Sequence, residues 1–249
     1  MKILICISNV PDTTTKIRFN AEKTALDVSG IQWIINPWDE LALTRALELK
    51  ENSGGSIEKI TVITVGASYT EATLRKALAI GADDAVRVDA DPKDAYFVAA
   101  QLADYIKQNP YDIILCGIDS SDYNGSMVGG MLSEMMDMTS VSSVSTLEIN
   151  GGKVSVKREI DGGQETLEVG LPLTAIVQKG ITKEPRIPSM RGIMMARTKP
   201  LTVKAAAACD NLTEFVGYDL PAPKDKCKMI DPDNIHDIIN VLHDEFKVL

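Results

Sequence analysis

Histidine is nearly absent: His236 and His243, both close to the C-terminus, are the only two. With none elsewhere, Ser/His/Asp and Cys/His nucleophilic catalysis and most transition-metal chemistry are disfavoured. The four cysteines, Cys6, Cys116, Cys209 and Cys227, are scattered without a CxxC pair, which is neither zinc-site spacing nor a disulfide framework. There is no GxGxxG and no P-loop lysine motif, so the two common phosphate-binding signatures are missing. No apolar run approaches the ~20 residues of a membrane span. The opening MKILICISNV is too short for a signal peptide, has no small-residue cleavage site and is interrupted by Pro11-Asp12, so a cytoplasmic location is expected. Positive charge is also in deficit: 26 Lys and Arg face 35 Asp and Glu, a formal charge of -9 with a pI near 4.8. That balance disfavours nucleic acid and anionic membrane surfaces as partners.

What remains is a chain of 249 residues, 45% hydrophobic and 24% charged, with ample material for a globular core. Its first half alternates strand and helix patterns. Strands are expected at Lys2–Ile7, Gln32–Ile35, Ile60–Val65, Ala85–Val88 and Ile113–Cys116, with a weaker extended segment at Lys16–Phe19. Helices are expected after Asn36, which can cap ahead of Pro37, from about Thr70 to Gly81, over Asp94–Lys107, and from near Asn124. This grammar is that of a parallel sheet covered on both faces, an α/β Rossmann-like fold.

After about residue 140 the pattern turns antiparallel. Ser143–Ile149 and Lys153–Arg158 flank Asn150-Gly151-Gly152, and Asp161-Gly162-Gly163 precedes Gln164–Val169. Leu173–Gln178 reads as one more buried strand. Ser189–Ala196 suits a short helix, residues 208–231 an extended tail, and Asn234–Phe246 an amphipathic helix with Ile235, Ile238, Ile239, Leu242 and Phe246 on one stripe. Such a helix needs a surface to cover, on this domain or another subunit. We therefore expect an α/β domain over 1–207, with a β extension at about 143–170, and a C-terminal arm over 208–249.

The organising stretch is Asp112–Met131, where the apolar run Ile113–Cys116 empties through Gly117 into small and acidic residues and then a helix. A strand that opens through glycine into a helix N-terminus is where open α/β sheets bind anionic ligands; an ordinary βα connection is the competing reading. The strand ends Cys6–Asn9 and Val65-Gly66-Ala67, and Asn36, are expected along the same edge. Asn124 and Ser126 are short enough to fill gaps around a nucleotide. Asp119 and Asp122 lack the oxygen-ligand spacing of a calcium loop, so a sugar hydroxyl or a helix cap suits them better and no metal is expected. The segment Glu184–Met195 mixes methionines, prolines and fixed charges. It is either an adaptable docking surface or a buried connection.

These residues resemble the electron transfer flavoprotein β-subunit family over nearly the whole chain. The resemblance is carried by R-E-I-D-G-G-Q-E-T-L-E-V-G-L-P at Arg158–Pro172 followed by E-P-R-I-P-S-M-x-x-I-M at Glu184–Met194. Supporting stretches are N-V-P-D-T at Asn9–Thr13, I-N-P-W-D-E at Ile35–Glu40, L-R-K-A-L-A-I-G-A-D at Leu74–Asp83 and the looser G-x-x-x-x-D-x-N-x-x-x-V-G at Gly117–Gly129. The resemblance implies an electron carrier with no catalytic residues. It would pair with an α-subunit that holds most of one FAD, accept electrons from acyl-CoA or other flavin dehydrogenases, and pass them to a quinone-linked oxidoreductase. It also implies a structural AMP in the β-subunit, or a second FAD in the electron-bifurcating branch. A stand-alone ATP-binding stress-type protein is the rival from another class.

Carried over by motif, the nucleotide contacts are Cys6, Asn36, Pro37, Trp38, Asp39, Val65 with its neighbour Gly66, and Gly117–Val128, including Asp119, Asp122, Asn124, Gly125, Ser126, Met127 and Val128. Partner recognition falls within Gln178–Pro200, at Glu184, Pro185, Arg186, Met190, Ile193 and Met194, with Met190 where relatives usually carry a leucine anchor. The chain departs from many relatives at Asn124 and Met127 (an acid and a glutamine there), at Thr13 (an aromatic near the flavin), and at Met195 and Thr198 (lysines).

Overall fold

The computed structural model describes every residue except Gly151 and Asp225, together with all side chains of its strands and helices but that of Asn150. The expected turn residue Gly151 therefore lies outside the described residues. The chain opens with β1 (Lys2–Cys6) and a short antiparallel pair, β2 (Asn9–Pro11) and β3 (Trp33–Ile35). Then come α1 (Pro37–Asn52), β4 (Lys59–Val65), a 3-10 turn at Ser68–Thr70 and α2 (Glu71–Ile80). β5 (Asp84–Asp89), α3 (Ala95–Gln108), β6 (Ile113–Gly117) and α4 (Val128–Met135) complete the alternating half. The second half holds β7 (Thr139–Asn150), β8 (Lys153–Ile160), β9 (Gly163–Val169), β10 (Leu173–Val177), α5 (Met190–Ala196) and β11 (Leu201–Ala205). The chain closes with α6 (Ile235–Asn240), which continues into a wider turn at Val241–Glu245.

Nine strands form one sheet in the order β11-β5-β4-β1-β6-β10-β7-β8-β9. Every pairing from β11 through to β7 is parallel, and β7-β8 and β8-β9 are antiparallel. The fold is thus α/β and Rossmann-like, with the antiparallel extension that the hairpin signals announce. Alternate residues of β1 serve opposite layers: Ile3 and Ile5 pack with Leu43, Leu47, Leu74 and Leu78 of α1 and α2, while Leu4 and Cys6 join Phe97, Leu102, Ile106 and Leu132 of α3 and α4. Each such fully buried Leu, Ile or Phe contributes about 1.5–3 kcal/mol, and together these side chains keep the central strands in register. The chain runs outward from β1 through β4 to β5, then returns to place β6 on the other side of β1. The C-terminal ends of β1 and β6 are therefore the switch point at which open α/β sheets form their ligand crevice.

Four expectations need correction. Lys16–Phe19 is not a strand: Lys16, Ile17 and Arg18 are exposed, and Phe19 makes only an isolated bridge to Leu26. Asn9–Pro11, where no strand is expected, pairs with Trp33–Ile35. α4 begins at Val128 rather than near Asn124, because Asn124 and Ser126 sit at φ 49° and 51°, in the left-handed region that a right-handed helix cannot include. Leu201–Ala205, unrecognised in the sequence, adds a parallel edge strand beside β5.

Candidate functional site

Three strand ends and one helix start meet at the switch point. Asn36 precedes α1 in the place of an N-cap, yet its side chain makes no capping bond. It is fully buried and reaches across instead: Nδ2 donates to the Asp119 carbonyl at 2.8 Å, and Oδ1 accepts from the Ser121 N–H at 3.2 Å. One turn on, the buried Asp39 accepts from the Ser8 N–H at 2.8 Å and the Gly117 N–H at 2.9 Å. Asn36 and Asp39 thereby tie α1 to the ends of β1 and β6. Burial pushes the Asp39 carboxyl up to about 7, against the opposing pull of these N–H donors.

Gly117 has no alternative here. A Cβ at this position would run into Asp39 Oδ1 and stand 2.7 Å from the Trp38 Cβ. Cys6 and Cys116 close the floor as buried neighbours, and the Cys6 thiol is held well above its ordinary value by its hydrogen bond with Cys116 and by burial. It stays protonated and acts as packing, not as a nucleophile. Val65 is buried at the end of β4, and its neighbour Gly66 lies against Thr70.

The helix starts along this edge separate by their caps. Asp94 caps α3 by accepting from the Phe97 N–H, whereas α1, α2 and α4 carry no side-chain cap bond. Unsatisfied N–H groups at a helix start bind anions, but acids already occupy the first turns of α1 (Asp39, Glu40) and α2 (Glu71). α4 has no acid in its first turn, and Val128-Gly129-Gly130 offers backbone N–H groups with little side chain in the way. The loop before it, Asp122–Met127, is exposed, and Asn124 and Ser126 turn left-handed. Asp122 accepts from the Tyr123 N–H at 2.9 Å, and Asp119 joins through its carbonyl; neither caps α4, so of the two expected roles the helix cap falls. A polar floor held by Asn36 and Asp39, an uncapped helix start and a strand end that admits only glycine fit a phosphate-bearing nucleotide.

The structure thus brings Cys6, Asn36, Trp38, Asp39, Val65, Gly66 and Gly117–Val128 to one edge. Tyr123 of that loop heads a row of aromatic rings that local pattern does not announce. Tyr123 lies 5.1 Å from Phe215, Phe215 5.7 Å from Tyr218, and Tyr218 5.2 Å from Phe19. Burial, with Tyr218 and Asp122 nearby, raises the Tyr123 hydroxyl to about 12, so it remains a neutral donor. The only signal in the sequence was the presence of isolated aromatics in otherwise polar loops.

Glu184–Met194 lies elsewhere, on α5 and the segment leading to it. Of the two readings of its methionines the exposed one is right: Met190 is 76% and Met194 70% exposed, and Ile187 reaches 86%. Beside them a groove of about 520 Å³ is lined by Arg75, Lys76, Ala79, Pro188, Ile193, Ala196 and Arg197. Near the C-terminus, Ile235, Ile238, Ile239 and Phe246 are all exposed and Leu242 is half-buried, so most of the apolar stripe of the last helix is left open among the described residues. Among the described residues, no helix is long and apolar enough to cross a membrane.

Comparison with known proteins adds an independent line. A family model described as "Electron transfer flavoprotein domain" matches residues 24–209. The electron transfer flavoprotein subunit beta of Syntrophomonas wolfei is 37% identical over 226 residues, 90% of this chain and 87% of that protein. The subunit of the same name from Bacillus subtilis is 38% identical over 81% of this chain and 77% of its own length. The human one is 30% identical over 82% and 80%.

Proposed function

The chain belongs to the electron transfer flavoprotein family as a β-subunit, and from that premise we propose that it holds AMP at the β1-β6 switch point, completes the FAD site of an α-subunit, and docks flavin dehydrogenases through Gln178–Pro200. Electrons taken from an acyl-CoA or other dehydrogenase pass on to a quinone-linked acceptor, and the chain itself makes and breaks no bonds. The proposed division is a nucleotide-binding domain over 1–207 and an arm over 208–249 that packs on the α-subunit, in a cytoplasmic heterodimer.

The observation that carries the nucleotide reading is the start of α4. Among α1, α2 and α4, which carry no side-chain cap, it alone has a first turn free of acid, and Asn36 anchors the loop leading into it. The phosphate belongs on the N–H groups of Val128, Gly129 and Gly130. The adenine and ribose belong over Cys6, Trp38, Val65 and the Gly117–Ser126 loop, where backbone edges and short side chains take its polar atoms. FAD, when bound in the heterodimer, supplies the redox chemistry; this chain's residues bind, orient and exclude water.

The test is extraction of nucleotides from the purified heterodimer. One FAD and one AMP per heterodimer is the expected result. Two FAD would replace this reading with the electron-bifurcating one, and ATP turnover by the lone chain would replace it with a stress-type ATP binder.

A further inference from the structure

From Gly180 to Pro200 the segment read as the docking surface carries five cations, Lys183, Arg186, Arg191, Arg197 and Lys199, and the structure divides them. Arg186 makes a two-pronged ion pair with Glu51 at 2.6 and 2.8 Å, while its backbone N–H donates to Thr44 Oγ1 at 3.0 Å. Lys199 turns inward as well, its Nζ donating to the Leu78 and Ala82 carbonyls at 3.0 and 2.6 Å. From α2, Arg75 donates to the Ala196 and Lys199 carbonyls, both at 2.8 Å. Thr182 donates to Glu48 at 2.7 Å. Gly192 lies so close to the Ala79 carbonyl that a Cβ there would collide with it. Lys183, Arg191 and Arg197 are left exposed.

We propose that Glu51, Arg75, Arg186 and Lys199 are positioning residues that clamp Ile181–Lys199 onto α1 and α2, so that Ile187, Met190, Ile193 and Met194 stand as a preformed crest. The inference rests on reading this segment as the docking surface. α5 spans only Met190–Ala196, well short of the length at which a helix holds itself in water, so its shape comes from what it is tied to. The ties fall at both ends of the crest and leave its apolar residues free. A crest ordered in advance loses less freedom on docking, which favours affinity without adding contacts. The three ties these four residues make are unequal. The Glu51–Arg186 pair is partly exposed, with Glu51 at 60%, and exposed pairs contribute little. Arg75 bonds the Ala196 carbonyl, the last of α5, and the Lys199 carbonyl just beyond it; the carbonyls of a helix end have no partner within the helix, so it carries more of the clamp.

The experiment uses the intact heterodimer. In Arg75→Gln, hydrogen exchange across residues 187–199 rises by roughly tenfold or more, with the Ser8 and Gly117 amides at the cradle unchanged; Glu51→Gln gives a smaller rise near 183–188. With a purified acyl-CoA dehydrogenase and its substrate as the probe, Arg75→Gln raises the dehydrogenase's KM for the heterodimer while kcat and flavin content hold. Arg75→Lys, which can still donate to both carbonyls, recovers most of the loss. Unchanged exchange in Arg75→Gln overturns the clamp. So does raised exchange with unchanged KM in a heterodimer where Met190→Ala does raise KM. Should Met190→Ala also leave KM unchanged, the docking reading itself falls, and the inference with it.

Discussion

Asp39 shows how far a single residue can be read from sequence. Its place in N-P-W-D-E identified it as a first-turn acid and, by resemblance, as part of a nucleotide site. That it is buried and accepts from the N–H groups of Ser8 and Gly117 was not visible, because those partners lie 31 and 78 residues away. Asn36 makes the same point. Its local preference is to cap a helix, and its actual bonds go to residues 83 and 85 positions on. Long-range geometry overrode local propensity at both positions, and both serve the candidate site. Burial raises Asp39 from 3.8 to about 7, and the sign of its pH effect follows. Between those values the folded chain keeps a proton that the unfolded chain has lost, so this group makes stability fall as pH rises from about 4 to about 7 and adds no slope above that. The limiting slope for one proton is about 1.4 kcal/mol per pH unit. Asp39→Asn cannot ionise, and thermal unfolding of the variant should show a flatter dependence over that interval than the parent. An identical slope in both proteins would place the titration elsewhere.

At the level of elements, long periodic segments were legible and irregular ones were not. α1, α2, α3 and the five central strands follow from burial patterns that sequence displays directly. The start of α4 was misplaced because a run of small polar residues does not reveal that Asn124 and Ser126 turn left-handed. β11 was missed because five residues after a proline, with Val203 half exposed, look like the beginning of a tail until β5 offers them an edge. α5 was legible, since Ser189 is a good cap and does accept from the Gly192 N–H at 3.0 Å. Whether its methionines faced inward was not, because composition carries no direction. Their exposure sets up a separation of effects. Met190 is 76% exposed, so Met190→Ala should change stability by no more than about 0.5 kcal/mol. If Met190 fills a pocket on a dehydrogenase, losing it costs about 1–2 kcal/mol of docking, roughly a five- to thirtyfold slower second-order reduction of the flavin. Flavin content should not change. Stopped-flow reduction alongside a flavin spectrum checks both, and a lowered flavin content with normal docking would overturn this assignment.

Across the whole molecule, sheet order and the path of the arm are the features that local pattern cannot supply. Alternating strands and helices imply a parallel sheet, but only the pairing of β1 with both β4 and β6 locates the crevice and gathers three separate strand ends into one site. The arm then divides in two. Its first part belongs to this chain: Asp94 accepts from the Leu212 and Thr213 N–H groups at 2.7 and 2.8 Å, the Tyr218 N–H donates to the Lys23 carbonyl at 2.8 Å, and Phe215 meets Tyr123 beside the cradle. Among the described residues its last part shows no such ties. The ion pair of Lys228 with Glu245 and the bond from the Val248 N–H to the Leu242 carbonyl both stay within the arm, and Ile235, Ile238, Ile239 and Phe246 face outward. An apolar stripe on a helix that its own domain leaves exposed is a surface suited to another chain, and the proposed function makes that chain the α-subunit. Burying four such side chains contributes about 1.5–3 kcal/mol each, less what is spent on ordering the arm. Deleting Asn234–Leu249 should therefore weaken the heterodimer by at least about tenfold, or 1.4 kcal/mol, as read by sedimentation at falling concentration. The thermal stability of the truncated β-chain should hold, because the removed residues contribute nothing to its core. Unchanged heterodimer affinity would assign the stripe to a different partner, and a lower melting temperature of the lone chain would mean that the helix packs on its own domain after all.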